Sequence, residues 1–354
     1  MEFMIPKQYR TTLIFVLALA AMASGLLGLS IGSIAIAPGE LLSICLGPLA
    51  SIFGFADPDP AHSSIILHLR LPRILLALLA GGGLALAGAT LQGLFRNPLA
   101  DPALIGVSSG GAVGAGLVLL IGSRLTTTSA LWSSPYSLML MAILGSIGST
   151  YLVYRLSKTG GRIHVPTMLL CGIAVNAFGG ALVGVMLFCA DLDTLREITF
   201  WGMGSFSRAP HTAVFAATPL FLLLLSLLLS QSKVLNVLLL GNAEALHLGF
   251  DPHPIQRRLI LLSGALVGLS VALCGSIAFV GLVTPHLVRL LVGPNHRYLL
   301  PGSALAGAVL MVLVDLLANN LLAGANIPIG ILTAFIGAPF FLYLLFSARR
   351  KEIV

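Results

Sequence analysis

Apolar residues in this chain come in long runs, separated by short polar segments rich in proline, glycine and basic residues. One run organises the others. It follows Arg73, continues without a charge to Arg96, and carries Gly81, Gly82, Gly83 and Gly88. About 20 apolar residues rising 1.5 Å each cross the ~30 Å hydrocarbon layer of a bilayer. Small residues within such a helix let neighbouring backbones approach closely. The run is bounded by LRLPR at 69–73 and by the polar, proline-bearing segment RNPLADP at 96–102.

Similar runs lie at 13–36, 104–122, 137–154, 167–188, 212–229, 259–274, 299–322 and 329–346, with a shorter one near 277–292. Together they predict about ten membrane-spanning helices. The first run follows Lys7 and Arg10 as a signal peptide's apolar stretch would, but at about 24 residues it is too long for one and reads as a spanning helix. Two polar connections carry structure of their own. In 190–211, Asp191, Asp193, Arg196 and Glu197 stand opposite Leu192, Leu195, Ile198 and Trp201, which predicts a helix lying at the interface. In 230–258, LLGNAEALHLGF predicts a short helix ending at Gly249, with Asp251-Pro252 as its stop. The expected fold class is therefore all-α, a polytopic membrane protein forming one transmembrane domain over 1–354.

An even number of spans puts both termini on one side of the membrane. Most of the 19 basic residues fall on that side, whereas Arg70, Arg73, Arg124, Arg196 and Arg208 fall on the other. Basic residues concentrate in cytoplasmic loops, so the termini are expected in the cytoplasm. A shift of 187 residues pairs Gly81 with Gly268, Gly88 with Gly275 and Pro98 with Pro285, the pattern of an inverted repeat in which the second and seventh spans correspond.

Composition narrows the function. The chain is 57% hydrophobic and 9% charged, against about a quarter charged in ordinary globular domains, which excludes a soluble domain of any size. A net charge of +7 is spread between apolar runs with no basic stripe, so nucleic acid is not an expected partner. Cys45, Cys171, Cys189 and Cys274 are far apart and suggest neither a disulfide framework nor a zinc site. The histidines are dispersed and no His-Glu-x-x-His occurs, so neither a metal site nor a catalytic site is expected. A phosphate-binding loop needs Gly-Lys-Ser/Thr, whereas the lysines here follow Pro6, Ser157, Ser232 and Arg350. Any ATP-driven transport must therefore use a motor on another chain.

The segments LRLPR, LQGLFRNPLADPALIGVSSGG, FWGMGS, LLGNAEALHLGF, GSIAFVGLVTPHLVRLL, GPNHRYLLPGSALAGAVLMVLVDLLA and IPIGILTAFIGAPFFLYLL resemble, in this order, the binding-protein-dependent permeases for iron chelates, haem and cobalamin. The resemblance covers almost the whole chain. It implies the permease fold of a type II ABC importer: a homodimer in the bacterial inner membrane, working over two ATP-binding subunits that hold ATP and magnesium, and receiving substrate from a periplasmic binding protein. It also implies roles for residues. Arg70 and Arg73 would meet glutamates of the binding protein. The connection 239–254 would enter a cleft of the ATPase, with Gly241, Glu244, Leu246, His247 and Gly249 at the contact. Asn176, a polar residue inside an apolar span, would face the translocation passage at the two-fold interface or a neighbouring helix. Cobalamin-type relatives carry a docking arginine four residues after an aspartate near the end of span nine; here Asp315 is followed by Asn319. RNPLADPALIGVSSGG is closer to the haem version, so haem is the expected substrate, with ferric siderophores and cobalamin as alternatives. A different class, an ion-coupled secondary transporter, would use Asp315 as its ion site.

Overall fold

The computed structural model describes residues 5–32, 34, 36–47, 58–124, 134–159, 162–321 and 326–352; Asp57, the loop at 125–133 and the Gly160-Gly161 pair lie outside them. Its helices are, in chain order, α1 (Arg10–Ser30), α2 (Pro38–Leu46), α3 (Pro60–Ser64), α4 (Leu71–Phe95), α5 (Val107–Arg124), α6 (Pro135–Leu156), α7 (Val165–Cys189), α8 (Leu192–Gly202), α9 (His211–Leu229), α10 (Ser232–Leu238), α11 (Asn242–His247), α12 (Pro252–Cys274), α13 (Val280–Val292), α14 (His296–Asn320) and α15 (Ile329–Glu352). Among the described residues, seven helical stretches are long and apolar enough to cross a membrane, and three shorter apolar helices, within α5, α13 and α15, bring the number to the expected ten. Two strands of two residues, Lys158–Thr159 and Arg162–Ile163, pair in the basic loop, a local ribbon that an all-α reading did not foresee.

The stretch containing α4 is the hub, with 89% of its apolar window buried against 17% for α7. It packs on α1, α9, α12, α13 and α14, and glycine makes the closest of these contacts possible. A Cβ on Gly81 would lie 2.4 Å from the Gly307 carbonyl of α14, and one on Gly88 would lie 1.8 Å from the Gly281 carbonyl of α13. Both distances are below any real Cβ contact, so these crossings exist only because the side chains are missing.

Three local expectations are corrected. LRLPR does not begin its helix: the helical stretch starts at Pro60 and passes through a π-helical turn, Ile65–Arg70, in which the Leu71 N–H reaches the Ile66 carbonyl. Pro72 has no N–H to donate, and a wider turn just ahead of it is a usual way for a helix to accommodate that loss. Asp251-Pro252 is a start and not a stop, since the Asp251 carboxylate accepts from the His253 N–H and Pro252 occupies the first turn of α12, where a missing N–H costs nothing. On α8 the packed face is Thr194, Ile198 and Trp201. Leu192 is 85% exposed, because nine residues at 100° each put it opposite Trp201. The repeat at 187 residues loses its structural correspondence at Gly88, which lies inside α4, while Gly275 ends α12 with φ +74°.

The chain ends of several helices define two poles. At one, Ile5 donates to the Leu291 carbonyl, and α10 and α11 follow α9. At the other, the FWGMGS and IPIG motifs form a backbone junction in which Ser205 N–H meets Cys274 O at 2.7 Å, Ile329 N–H meets Gly204 O at 3.1 Å and Gly330 N–H meets Met203 O at 2.9 Å.

Candidate functional site

At the pole where α1 and α14 end, the two arginines of LRLPR do different things. Arg70 reaches across to the end of α1 and donates to the carbonyls of Leu29 (2.7 Å), Ser30 (3.1 Å) and Ile34. These acceptors are orphan carbonyls of a helix terminus and of the chain beyond it, so the contact satisfies backbone and, among the described residues, leaves the arginine's charge without an anion. Arg73 instead forks onto α14. Its Nε lies 2.9 Å from Asp315 Oδ2, one terminal nitrogen donates to Asp315 Oδ1 at 2.9 Å, and the same nitrogen donates to Asn319 Oδ1 at 2.6 Å. Asn319 returns a bond from its amide to the Asp315 carbonyl at 2.8 Å. Asp315 is 1% exposed. A carboxylate this deep needs a paired cation, and Arg73 supplies it. Both arginines line one cavity of about 350 Å³. The sequence held the clue to this pair, a lone Asp inside one otherwise uncharged run and an Arg at the edge of another, but gave no distance between them.

Asn176 lies midway along α7, and its amide donates to the Ala103 carbonyl at 2.9 Å. Ala103 belongs to the 3-10 turn Pro102–Ile105, which closes the RNPLADP segment. That segment is built from side-chain caps. Asn97 Oδ1 accepts from Leu99 N–H at 3.0 Å, and Asp101 Oδ1 accepts from Ala103 N–H at 2.7 Å. Burial pushes the Asp101 carboxyl above its usual range, and the Ala103 hydrogen bond opposes that rise. α7 sits directly on this turn, for a Cβ at Gly172 would lie 1.6 Å from the Leu104 carbonyl. Asn176 therefore ties the middle of α7 to the turn that closes the RNPLADP segment.

At the opposite pole, α10 and α11 form a compact projection. Gly241 takes φ +128° and Gly249 φ +84°, conformations that glycine adopts without strain. The Phe250 N–H folds back to the Ala245 carbonyl at 2.9 Å and closes α11. Ala245 is buried, whereas Glu244, Leu246 and His247 are exposed. Leu240, Leu246 and Leu248 are each more than half exposed, an apolar crown on a polar connection.

Behind the projection lies a group the sequence did not single out. Arg289 of α13 donates to Gln92 Oε1 at 3.0 Å, and Gln92 Nε2 donates to the Leu282 carbonyl at 3.2 Å. His296 and Asn236 are joined through Asn236 Oδ1, which accepts from the His296 N–H at 2.8 Å and from Nδ1 at 3.0 Å. Among the described residues no group of three or more His, Cys, Asp or Glu side chains could hold a metal ion.

These features fit a transport subunit, and comparison with known proteins agrees. The FecCD transport family matches residues 18–347. The hemin transport system permease protein HmuU of Yersinia pestis is 44% identical over 288 residues, 81% of this chain and 85% of that one. The molybdate import system permease protein MolB of Haemophilus influenzae is 39% identical over 339 residues, 96% of each chain. A solved metal-chelate type ABC transporter in an inward-facing conformation superposes with a TM-score of 0.81 at 38% identity, covering 95% of this chain and 99% of the other. With the fold and nearly the whole sequence shared, this chain belongs to the FecCD transport family, as a multi-pass ABC transporter permease.

Proposed function

We propose that the chain is the membrane subunit of an inner-membrane ABC importer that passes haem to the cytoplasm. It works as a homodimer over two ATP-binding subunits, with its termini in the cytoplasm and the Arg70 pole facing a periplasmic binding protein. The observation that carries haem is the 44% identity to a hemin permease, joined to the haem-like form of the RNPLADPALIGVSSGG connection. Uptake by vesicles holding the permease, its ATPase and its binding protein tests it, with haem, a ferric siderophore, cobalamin and molybdate offered in parallel. Haem uptake that depends on ATP is expected; uptake of one of the others alone would reassign the substrate. The secondary-transporter alternative loses its ion site, because Asp315 is already engaged by Arg73.

α7 supports the dimer and the passage. It is the least buried of the long spans, with Phe178 and Phe188 exposed, and Gly180 and Gly184 leave open space beyond their Cα atoms. Gly-x-x-x-Gly spacing suits close approach by a second helix. Asn176, bonded through only one end of its amide to Ala103, would then stand between the RNPLADP turn and the passage. A cysteine at position 176 should react with a water-soluble thiol reagent in at least one nucleotide state of the complex. Reaction from lipid only, in every state, removes it from the passage.

Docking falls unequally on the two arginines. Arg70 is held by neutral carbonyls and keeps its charge available to a carboxylate, whereas Arg73 is neutralised by Asp315. Opposite charges on a docking rim mainly steer encounter and fix register. Arg70→Glu is therefore expected to slow association of the binding protein at low ionic strength, with the permease still assembled on its ATPase. An association rate equal to wild type at low salt would move docking elsewhere.

A further inference from the structure

The pole that carries α10 and α11 also holds positive charge with no counter-ion among the described residues. Arg96 caps α4 in the left-handed conformation at φ 50°. It lines a cavity of about 190 Å³ together with Arg289, Gln92, His296 and Leu239. Among the described residues, neither arginine pairs with a carboxylate. Arg289 is held in place by Gln92, a neutral partner that is itself anchored to α13 backbone.

His296 forms one wall and is 1% exposed. Its Nδ1 faces Asn236 Oδ1, an oxygen that can only accept, so Nδ1 carries the proton in that bond. Nε2 is buried and has no hydrogen-bond partner. The imidazole packs directly against the Gly93 backbone, since a Cβ at position 93 would come within 2.2 Å of Nε2. The cavity is far larger than the ~15 Å³ that one water needs.

His296 Nε2, left without a proton, and Gln92, whose amide is already used on both ends, offer an anion nothing; the two guanidinium groups on one cavity, with no acid beside them among the described residues, describe a receptor for a tetrahedral oxyanion. Guanidinium pairs bidentately with phosphate oxygens, and basic pockets between membrane helices at the polar boundary take phospholipid head groups. We propose that this cavity binds a phosphate group, either the diester of an acidic phospholipid or free inorganic phosphate. Such a group would join the end of α4 and the starts of α14 and the Leu239 connection, the parts that a motor bound at α10 and α11 would have to move together. This site does not depend on which substrate is carried.

The test uses the full chain in phosphatidylcholine nanodiscs, with phosphatidylglycerol titrated in one arm and inorganic phosphate in the other. Native mass spectrometry counts retained molecules, and the melting temperature reports stabilisation. Arg96→Gln is the main variant, because the Arg96 side chain makes no hydrogen bond to the described residues and its loss should leave the fold intact. Arg289→Gln is the second variant, and Arg297→Gln, outside the cavity, is the control. Wild type should retain phosphatidylglycerol over phosphatidylcholine, and Arg96→Gln should weaken that retention about tenfold or more, the loss of one charge-assisted hydrogen bond. Stabilisation by inorganic phosphate without lipid preference, lost in the same variants, supports the site and identifies its source as free phosphate. Equal retention and equal melting shifts in wild type and both cavity variants overturn the proposal. So does a complex in which Arg96→Gln sheds the ATPase while lipid and phosphate binding stay unchanged, since the arginine would then be pairing with a partner's carboxylate.

Discussion

Arg73→Ala is expected to leave little folded permease in the membrane. The substitution strands Asp315, 1% exposed in the apolar body of α14, without the guanidinium that forks onto it at 2.9 Å. Removing one partner of a buried ion pair costs about 3–5 kcal/mol because the other charge stays buried and unpaired. That is a large fraction of the roughly 5–15 kcal/mol that keeps a typical domain folded. The double variant Arg73→Leu with Asp315→Leu removes both charges and should recover most of the folded protein. The check is the yield of monodisperse permease after extraction, with its melting temperature. Equal yields of wild type and Arg73→Ala would show that Asp315 is neutralised by some other means. The same geometry distinguishes Arg73 from Arg70: charge reversal at 73 faces two carboxylates toward each other, so a docking defect in that variant would be read through a folding defect.

Leu246→Asp should separate assembly from folding. Leu246 is 61% exposed on α11, while Ala245 beside it is buried and seats the helix on its own chain. The substitution therefore changes the outer surface of the projection and spares its foundation. An apolar side chain filling a partner's pocket is worth about 1.5–3 kcal/mol, and about 1.4 kcal/mol is tenfold in affinity. Normal amounts of folded permease are expected, with at least about tenfold weaker ATPase attachment and correspondingly lower uptake. Co-purification of the ATPase with the tagged variant measures the first, and vesicle uptake the second. Unchanged attachment together with unchanged uptake would move the coupling contact to the neighbouring stretch 284–297.

Much of this molecule was legible without coordinates. Run length alone placed the spans, because a bilayer imposes a fixed thickness on any apolar helix; α6, α7, α9 and α14 begin and end within a few residues of their apolar runs. The glycines of α4 announced a packed helix, since nothing else explains so many small residues in one span. Gly241 and Gly249 bounded α11 because their backbone angles admit few other residues.

Pairing across the bundle was not legible. Arg73 and Asp315 stand 242 positions apart, and no periodicity within α4 or α14 says which faces meet. Only the crossing of those helices at Gly81 and Gly307, where two backbones touch through missing side chains, turns the arginine toward the aspartate. The cavity of Arg96, Arg289 and His296 has the same origin: each residue is an ordinary helix-end polar group in its own segment, and tertiary packing alone gathers the three, with no acid beside them among the described residues. Sequence determined the elements, because membrane thickness and backbone sterics act locally. The tertiary structure decided which charges are neutralised, because that depends on which faces of distant helices come together.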